Sequence, residues 1–232
     1  MTEEDRAPTG DTPTGGGRRR AGPLSGRQAE AARNDQRILE SARAVFTADP
    51  DAPITAVAKH AGVGISALYT RYGSKEELIR TLCTEAMQAI VRETELAIEQ
   101  VGSGRDHWQV LADFMRRLVD ADTSSMTQSM AGTFTPTPDM FALATRSSQL
   151  MGELFAQVND VLRPDVVLHD LSLIFEVVAA VRGPNRPRTQ ELRHRYLALV
   201  LDGLRARDRE DLPGPPPGWQ ELSDRWIPKA AS

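Results

Sequence analysis

Two breaks in close succession dictate what the first third of this chain can become. The stretch Asp49-Pro50-Asp51-Ala52-Pro53 cannot lie inside a helix, because proline lacks the amide hydrogen and clashes with the preceding turn. Shortly afterwards Gly62-Val63-Gly64 frees the backbone for a tight turn. On either side the apolar residues recur at helical spacing. Ile38, Leu39, Ala42, Val45 and Phe46 form one stripe before the first break. Between the breaks only a short helix fits, with Thr55 as its N-cap and Val57, Ala58 and Ala61 turned inward. A third short helix over 65–72 places Leu68 and Tyr72 on its inner side and stops at Gly73. Ser74 and Glu77 then form the capping-box pattern Ser-x-x-Glu, opening a long helix through Leu78, Leu82, Met87, Ile90, Val91 and Ile98 to Gly102.

The remainder reads as helical too. Further helices are expected at 106–121, 124–131, 138–162, 166–182 and 189–207, separated at Pro164 and by Gly183-Pro184-Asn185-Arg186-Pro187. The run Leu171 to Val181 is apolar on nearly every face. Its β-branched content suits a strand, but its length and the lack of a partner strand favour a helix covered on two sides. The expected fold class is all-α. The expected divisions are a disordered basic arm (1–30), a helix-turn-helix domain (31–82), a larger helical domain (83–207) and a Pro-rich tail (208–232), where Trp219 and Trp226 are expected to dock on the body. No apolar run approaches the roughly 18 residues that span a bilayer, and no apolar stretch follows Arg18–Arg20 as a signal peptide requires. A single cysteine, Cys83, allows no internal disulfide and no multi-cysteine metal site. The expectation is a cytoplasmic protein without membrane, metal or cofactor.

Three short helices with a glycine turn between the second and third make a helix-turn-helix. Val57, Val63 and Leu68 pack under the turn, and the third helix projects its outer face into a major groove about 12 Å wide. The overall charge of −4 argues weakly against a polyanion partner. Its distribution argues for one: between Arg18 and Arg80 eleven cations face seven anions, so the excess of acid lies elsewhere.

The run Thr55-Ala-Val-Ala-Lys-His-Ala-Gly-Val-Gly-Ile-Ser-Ala-Leu-Tyr-Thr-Arg-Tyr-Gly-Ser-Lys-Glu-Glu-Leu78 resembles the signature of TetR-type bacterial transcriptional regulators. The resemblance is close over 34–82; beyond that only helix number and length match. Ser66 stands where glycine or proline is frequent, and Arg71-Tyr72-Gly73 where a His-Phe pair is usual. The resemblance implies that Tyr69 and Lys75 contact backbone phosphates, and that Thr55 holds another at a helix start. It implies that Ile65, Ser66, Ala67, Thr70 and Arg71 lie on the reading side of the third helix. Arg71 is placed on guanine, and Ile65 or Ala67 on a thymine methyl. The arginines Arg18–Arg20 and Arg27 are placed in an adjacent minor groove, against the plainer reading of a solubilising tail. Arg71 as a solvated charge weighs as much as Arg71 as a base reader.

Six methionines fall between Met87 and Met151, among several aromatic residues. Residue by residue this is ordinary core, but the resemblance implies a small-molecule pocket in this domain. The expected lining for a small apolar effector is Met87, Trp108, Leu111, Phe114, Met115, Met126, Met130, Phe141, Met151 and Phe155. The last two helices are expected to make a homodimer through Leu171, Ile174, Phe175, Val178, Tyr196, Val200, Gly203 and Leu204. The reading that follows is a ligand-released repressor on a palindromic DNA operator. Two alternatives stand beside it: a DNA-binding regulator controlled by a partner protein, with a filled body, and an all-helical enzyme. The enzyme finds no metal-ligand spacing, no Cys–His pairing and no phosphate loop to support it.

Overall fold

The computed structural model describes residues 26–123, 130, 133–205 and 210–223, with side chains from Glu30 onward except those of Trp219 and Ser223. The chain divides into two compact units, Met1–Asp35 and Gln36–Ser232. In the first, the described residues 26–35 are helical. Residues 26–30, expected in the unstructured arm, therefore open α1 (Gly26–Ala48), in keeping with the strong helix formers Gln28, Ala29, Glu30, Ala31 and Ala32. Arg18–Arg20 and the Arg27 side chain lie outside the described residues.

The second unit is all-α among the described residues. After α1 come α2 (Ile54–Ala61), α3 (Ile65–Tyr72), α4 (Lys75–Gly102) and α5 (His107–Asp120). They are followed by α6 (Pro138–Val158) with a 3-10 turn at Asn159–Val161, α7 (Leu168–Ala180), α8 (Arg186–Leu204) and a short α9 (Trp219–Ser223). The apolar run at 171–181 is a helix as expected, ending one residue before Val181. Of the expected helix at 124–131 only Met130, which is helical, is described; the Trp226 docking and the Trp219 side chain lie outside the described residues. α8 starts earlier than expected. Asn185 caps it by accepting from the Arg188 amide at 2.9 Å, and Pro187 sits in the first turn, where a missing amide costs nothing. Side chains serve three more starts: Asp106 caps α5 and Thr137 caps α6, while Asp170 accepts from the Val167 amide at 2.8 Å before α7.

Two hydrophobic clusters organise this unit. The first holds Ile38, Ala42, Phe46, Val57, Leu68, Tyr72, Leu78, Leu82 and Cys83, and it also takes in Met130, Phe134 and Met140 from beyond α5. The second is built from α5, α6, α7 and α8 around Leu111, Phe114, Met115, Leu154, Phe175, Leu197 and Leu201. Within it Phe114 and Phe175 meet edge to face at 6.4 Å. α4 runs through both clusters, from Leu78 in the first to Ala97 in the second.

Arg193 of α8 is a buried charge that the sequence did not announce. It pairs with Asp122 at 2.6 Å and donates to the carbonyls of Ala179, at 2.8 Å, and Val181, at 3.3 Å, at the end of α7. Asp122 holds a left-handed backbone (φ 51°), a conformation that Asp tolerates better than most residues. A second clasp fastens the segment after α8. Arg163 grips Asp165 through two bonds, at 2.6 and 2.9 Å, and donates to the Glu210 carbonyl; Asp165 accepts from the Leu212 amide at 2.6 Å. The Arg163 guanidinium and the Leu212 amide hold the Asp165 carboxyl down at about 2. No helix among the described residues is long and apolar enough to cross a membrane.

Candidate DNA-binding site

The turn between α2 and α3 forms as the glycine predicts. Gly62 takes φ 66°, its amide donates to the Lys59 carbonyl at 3.3 Å, and the Val63 amide donates to Ala58 at 3.1 Å. This pair of bonds is a Schellman closure, which needs a left-handed residue at that point. The N-cap of α2 is Pro53 rather than Thr55, which lies exposed at the second helical position. Proline presets the backbone angle for a helix start and gives up no useful donor there. Leu68 and Tyr72 of α3 are buried with Val57, and Val63 packs on the same cluster.

With Leu68 and Tyr72 inward, α3 turns Ser66, Ala67, Tyr69, Thr70 and Arg71 to the exposed side. Tyr69 is 47% exposed, unusual for a large aromatic ring. The Arg71 guanidinium lies 5.7 Å over the Tyr72 ring. The Thr70 hydroxyl donates to the Ser66 carbonyl at 2.8 Å. Ile65 departs from expectation: it is half-buried against the first cluster, so its side chain serves the core as well as the surface.

At the start of α4, Ser74 caps by accepting from the Glu77 amide at 3.0 Å. The reciprocal half of the expected capping box is replaced. Glu77 turns to Arg80, at 3.1 Å, and the Ser74 amide donates to the Tyr72 carbonyl at 2.7 Å. Lys75 is half-buried. Its ammonium donates to the Pro50 carbonyl at 3.1 Å and stands 5.2 Å over the Phe46 ring. Tyr69 and the outer flank of α3 are thus exposed, with Lys75 half-buried at the start of α4 in the same unit.

The body departs further from expectation. Leu111, Phe114 and Met115 are fully buried and fill the second cluster, with Trp108, Met151 and Phe155 half-buried against it. Met87 and Met130 belong to the first cluster, beneath the helix-turn-helix. Phe141 is 60% exposed and lines no interior space, while Met126 lies outside the described residues. A cavity of about 10 Å³ opens instead among Leu118, Val119, Asp122, Phe175, Val178, Ala179 and Arg193. That is close to the room one water needs. Of the expected dimer residues, Leu171, Phe175, Val178 and Leu204 are buried in the subunit's own core, and Ile174, Val200 and Gly203 are half-buried. The four buried side chains are spent within one chain. The apolar groups that α7 and α8 expose are Val177 at 66%, Leu199 at 62% and Tyr196 at 49%.

The fold and this surface define a helix-turn-helix DNA-binding protein with a helical body. Residues 38–82 match the profile of bacterial regulatory proteins of the tetR family. Over those residues the chain carries the helix-turn-helix of tetR-family bacterial regulatory proteins. No curated protein matches it. Among solved structures it is similar to the TetR-family regulator PfmR from Thermus thermophilus, at 23% identity and TM-score 0.50, over 74% of this chain and 100% of that one. It is similar also to the TetR-like regulator LfrR from Mycobacterium smegmatis, solved in complex with proflavine, at 18% identity and TM-score 0.53, over 72% and 95% of the two chains. At these identities the likeness carries the fold.

Proposed function

We propose that this regulator represses transcription as a homodimer on a pseudo-palindromic operator, with α3 of each copy in a major groove. The observation that carries the reading is the division of α3: Leu68 and Tyr72 are buried, while Ser66, Ala67, Tyr69, Thr70 and Arg71 share the exposed side. Arg71 reads a guanine edge through its paired donors and Ala67 meets a thymine methyl. Tyr69, Lys75 and Thr55 anchor phosphates and fix the register. In this reading 31–82 is the reading head, 83–207 the body and 208–232 the tail. The outward Val177, Tyr196 and Leu199 join the half-buried Ile174, Val200 and Gly203 at the twofold contact. Two reading helices then stand about 34 Å apart, or a multiple of it.

Release by a small apolar effector is part of the proposal, and the Met- and Phe-rich body suits it. LfrR, which shares the fold, was solved holding proflavine. The filled core supports a second reading, control by a protein partner. The test is selection of duplexes from a random-sequence DNA pool by the full-length protein, followed by affinity measured over a salt series. A palindromic consensus and a steep fall of affinity with salt are expected. Failure to enrich any duplex, or a binding constant insensitive to salt, refutes the reading. Thermal shift with a panel of apolar compounds separates the two forms of control: a saturable rise for one class supports an effector.

A further inference from the structure

Lys75 is the first residue of α4, and four rotatable bonds would ordinarily let its ammonium wander. Here it is held. The Phe46 ring, fully buried in the first cluster, presents its face 5.2 Å from the ammonium. The Pro50 carbonyl accepts one of its three N–H bonds at 3.1 Å. The loop that carries Pro50 is itself fixed. The Asp49 amide donates to Val45 at 2.9 Å, the Ala52 amide to the Asp49 carbonyl at 3.1 Å, and the Asp51 amide to the Asp49 carboxylate at 3.1 Å.

The nature of the two holding groups matters more than their number. A carboxylate partner would neutralise the charge. Two carboxylates stand in the same first turn, but Glu76 and Glu77 are drawn to Arg80, at 2.5 and 3.1 Å. A ring face and a carbonyl attract a cation while carrying no net charge. The ammonium is therefore fixed in place with its charge intact and two donors left for another acceptor. The helix start beside it adds a favourable field for an anion.

We propose that Phe46 and the Pro50 carbonyl are positioning groups for DNA binding, pre-setting the Lys75 ammonium for a backbone phosphate. This rests on the reading of Lys75 as a phosphate contact given above. The ring never touches DNA; it removes the freedom that Lys75 would otherwise lose on binding.

The experiment is a double-substitution cycle on the full-length protein and a duplex it enriches from a random pool. Lys75→Gln removes the cation; pentafluorophenylalanine in place of Phe46 keeps the ring's shape but reverses the sign of its face. Lys75→Gln is expected to lower the slope of log affinity against log salt by about 0.9, one phosphate contact. Fluorination alone is expected to weaken binding about threefold to tenfold at an unchanged slope, because the contact is still made but less well prepared. In the Lys75→Gln background fluorination is expected to change nothing. Phe46→Leu, with its denaturation midpoint measured alongside, repeats the cycle with a natural residue. If fluorination weakens binding equally in the parent and in the Lys75→Gln background, Phe46 is merely structural and the proposal fails. No loss with Lys75 present refutes it too. If Lys75→Gln leaves affinity and slope unchanged, the phosphate reading itself has failed, and the positioning role falls with it.

Discussion

Phe134 and Phe141 stand seven residues apart, and the sequence offers no way to rank them. Their surroundings do. Phe134 is 6% exposed and lies in the cluster beneath the helix-turn-helix, with Leu78, Leu82, Met130 and Met140. Phe141, in the first turn of α6, is 60% exposed. Truncating a buried phenylalanine removes its transfer free energy and leaves a cavity, together about 3–5 kcal/mol. A domain has only about 5–15 kcal/mol in total, so Phe134→Ala takes a large share of it. For a chain of this size each kcal/mol lowers the melting temperature by about 2–4 °C, giving a fall of about 6–20 °C. Phe141→Ala is expected within about 0.5 kcal/mol of the parent. Urea denaturation followed by circular dichroism measures both. Amide exchange at Leu68 and Leu78 locates the Phe134 loss, since those residues lie in the same cluster. The reasoning is refuted if Phe134→Ala costs under about 1 kcal/mol, if Phe141→Ala costs as much, or if amides in α2 and α3 keep their protection while only the second cluster loosens.

Three further outcomes follow from other contacts. Asp122→Ala withdraws the carboxylate from the buried Arg193 guanidinium and is expected to cost about 3 kcal/mol by the same denaturation assay; a change under about 1 kcal/mol would mean the pair is idle. The Asp165 carboxyl is held at about 2, below its ordinary 3.8, so its contribution to stability is full above pH 3.8 and is lost as the pH falls through about 2. A carbon-13 titration of that carboxyl should show a midpoint near 2, with the Leu212 amide shift following it. Burial pushes the Cys83 thiol up to about 12, so the native protein should resist a thiol reagent at pH 8 and react in one step on unfolding. Fast labelling without denaturant would contradict this.

The local grammar of the first third was legible. Gly62, Gly73 and Ser74 each act through the backbone within a few residues, and the stripe through Val57, Leu68 and Tyr72 has one buried side. Legibility fails where a residue's neighbour is distant in sequence. Met130 and Phe134 pack under the helix-turn-helix, a long-range contact that no local period encodes. In α7 apolar residues occupy almost every position, so the pattern has no polar face to mark outside. The structure buries Leu171, Phe175 and Val178 and leaves Val177 exposed, a choice set by the packing of α5 and α8 against it. Arg193 was invisible for the opposite reason. A charged residue reads as surface until its partners, Asp122 and two helix-end carbonyls, are seen.

The shared cluster also changes what a boundary at 82/83 can mean. A domain cut there would separate Leu82 from Cys83, adjacent members of one core, and strip Met130, Phe134 and Met140 from beneath the helix-turn-helix. Arg80 adds a polar tie to the same segment by donating to the Thr135 carbonyl at 3.3 Å. Close-packed interiors do not deform smoothly; they hold one arrangement until another becomes better. The helix-turn-helix therefore cannot reorient freely about α4 while the segment around Phe134 stays seated. Whatever event moves that segment, whether a ligand in the body or a partner on its surface, must act through differential free energy between the seated and displaced arrangements. α4 supplies the other constraint: its 28 residues span about 42 Å as one helix. It is buried near one end by Leu78 and Leu82 and further along by Ala97. Under the proposed function, control of DNA binding is thus a question of how two cores that share one helix are kept in register.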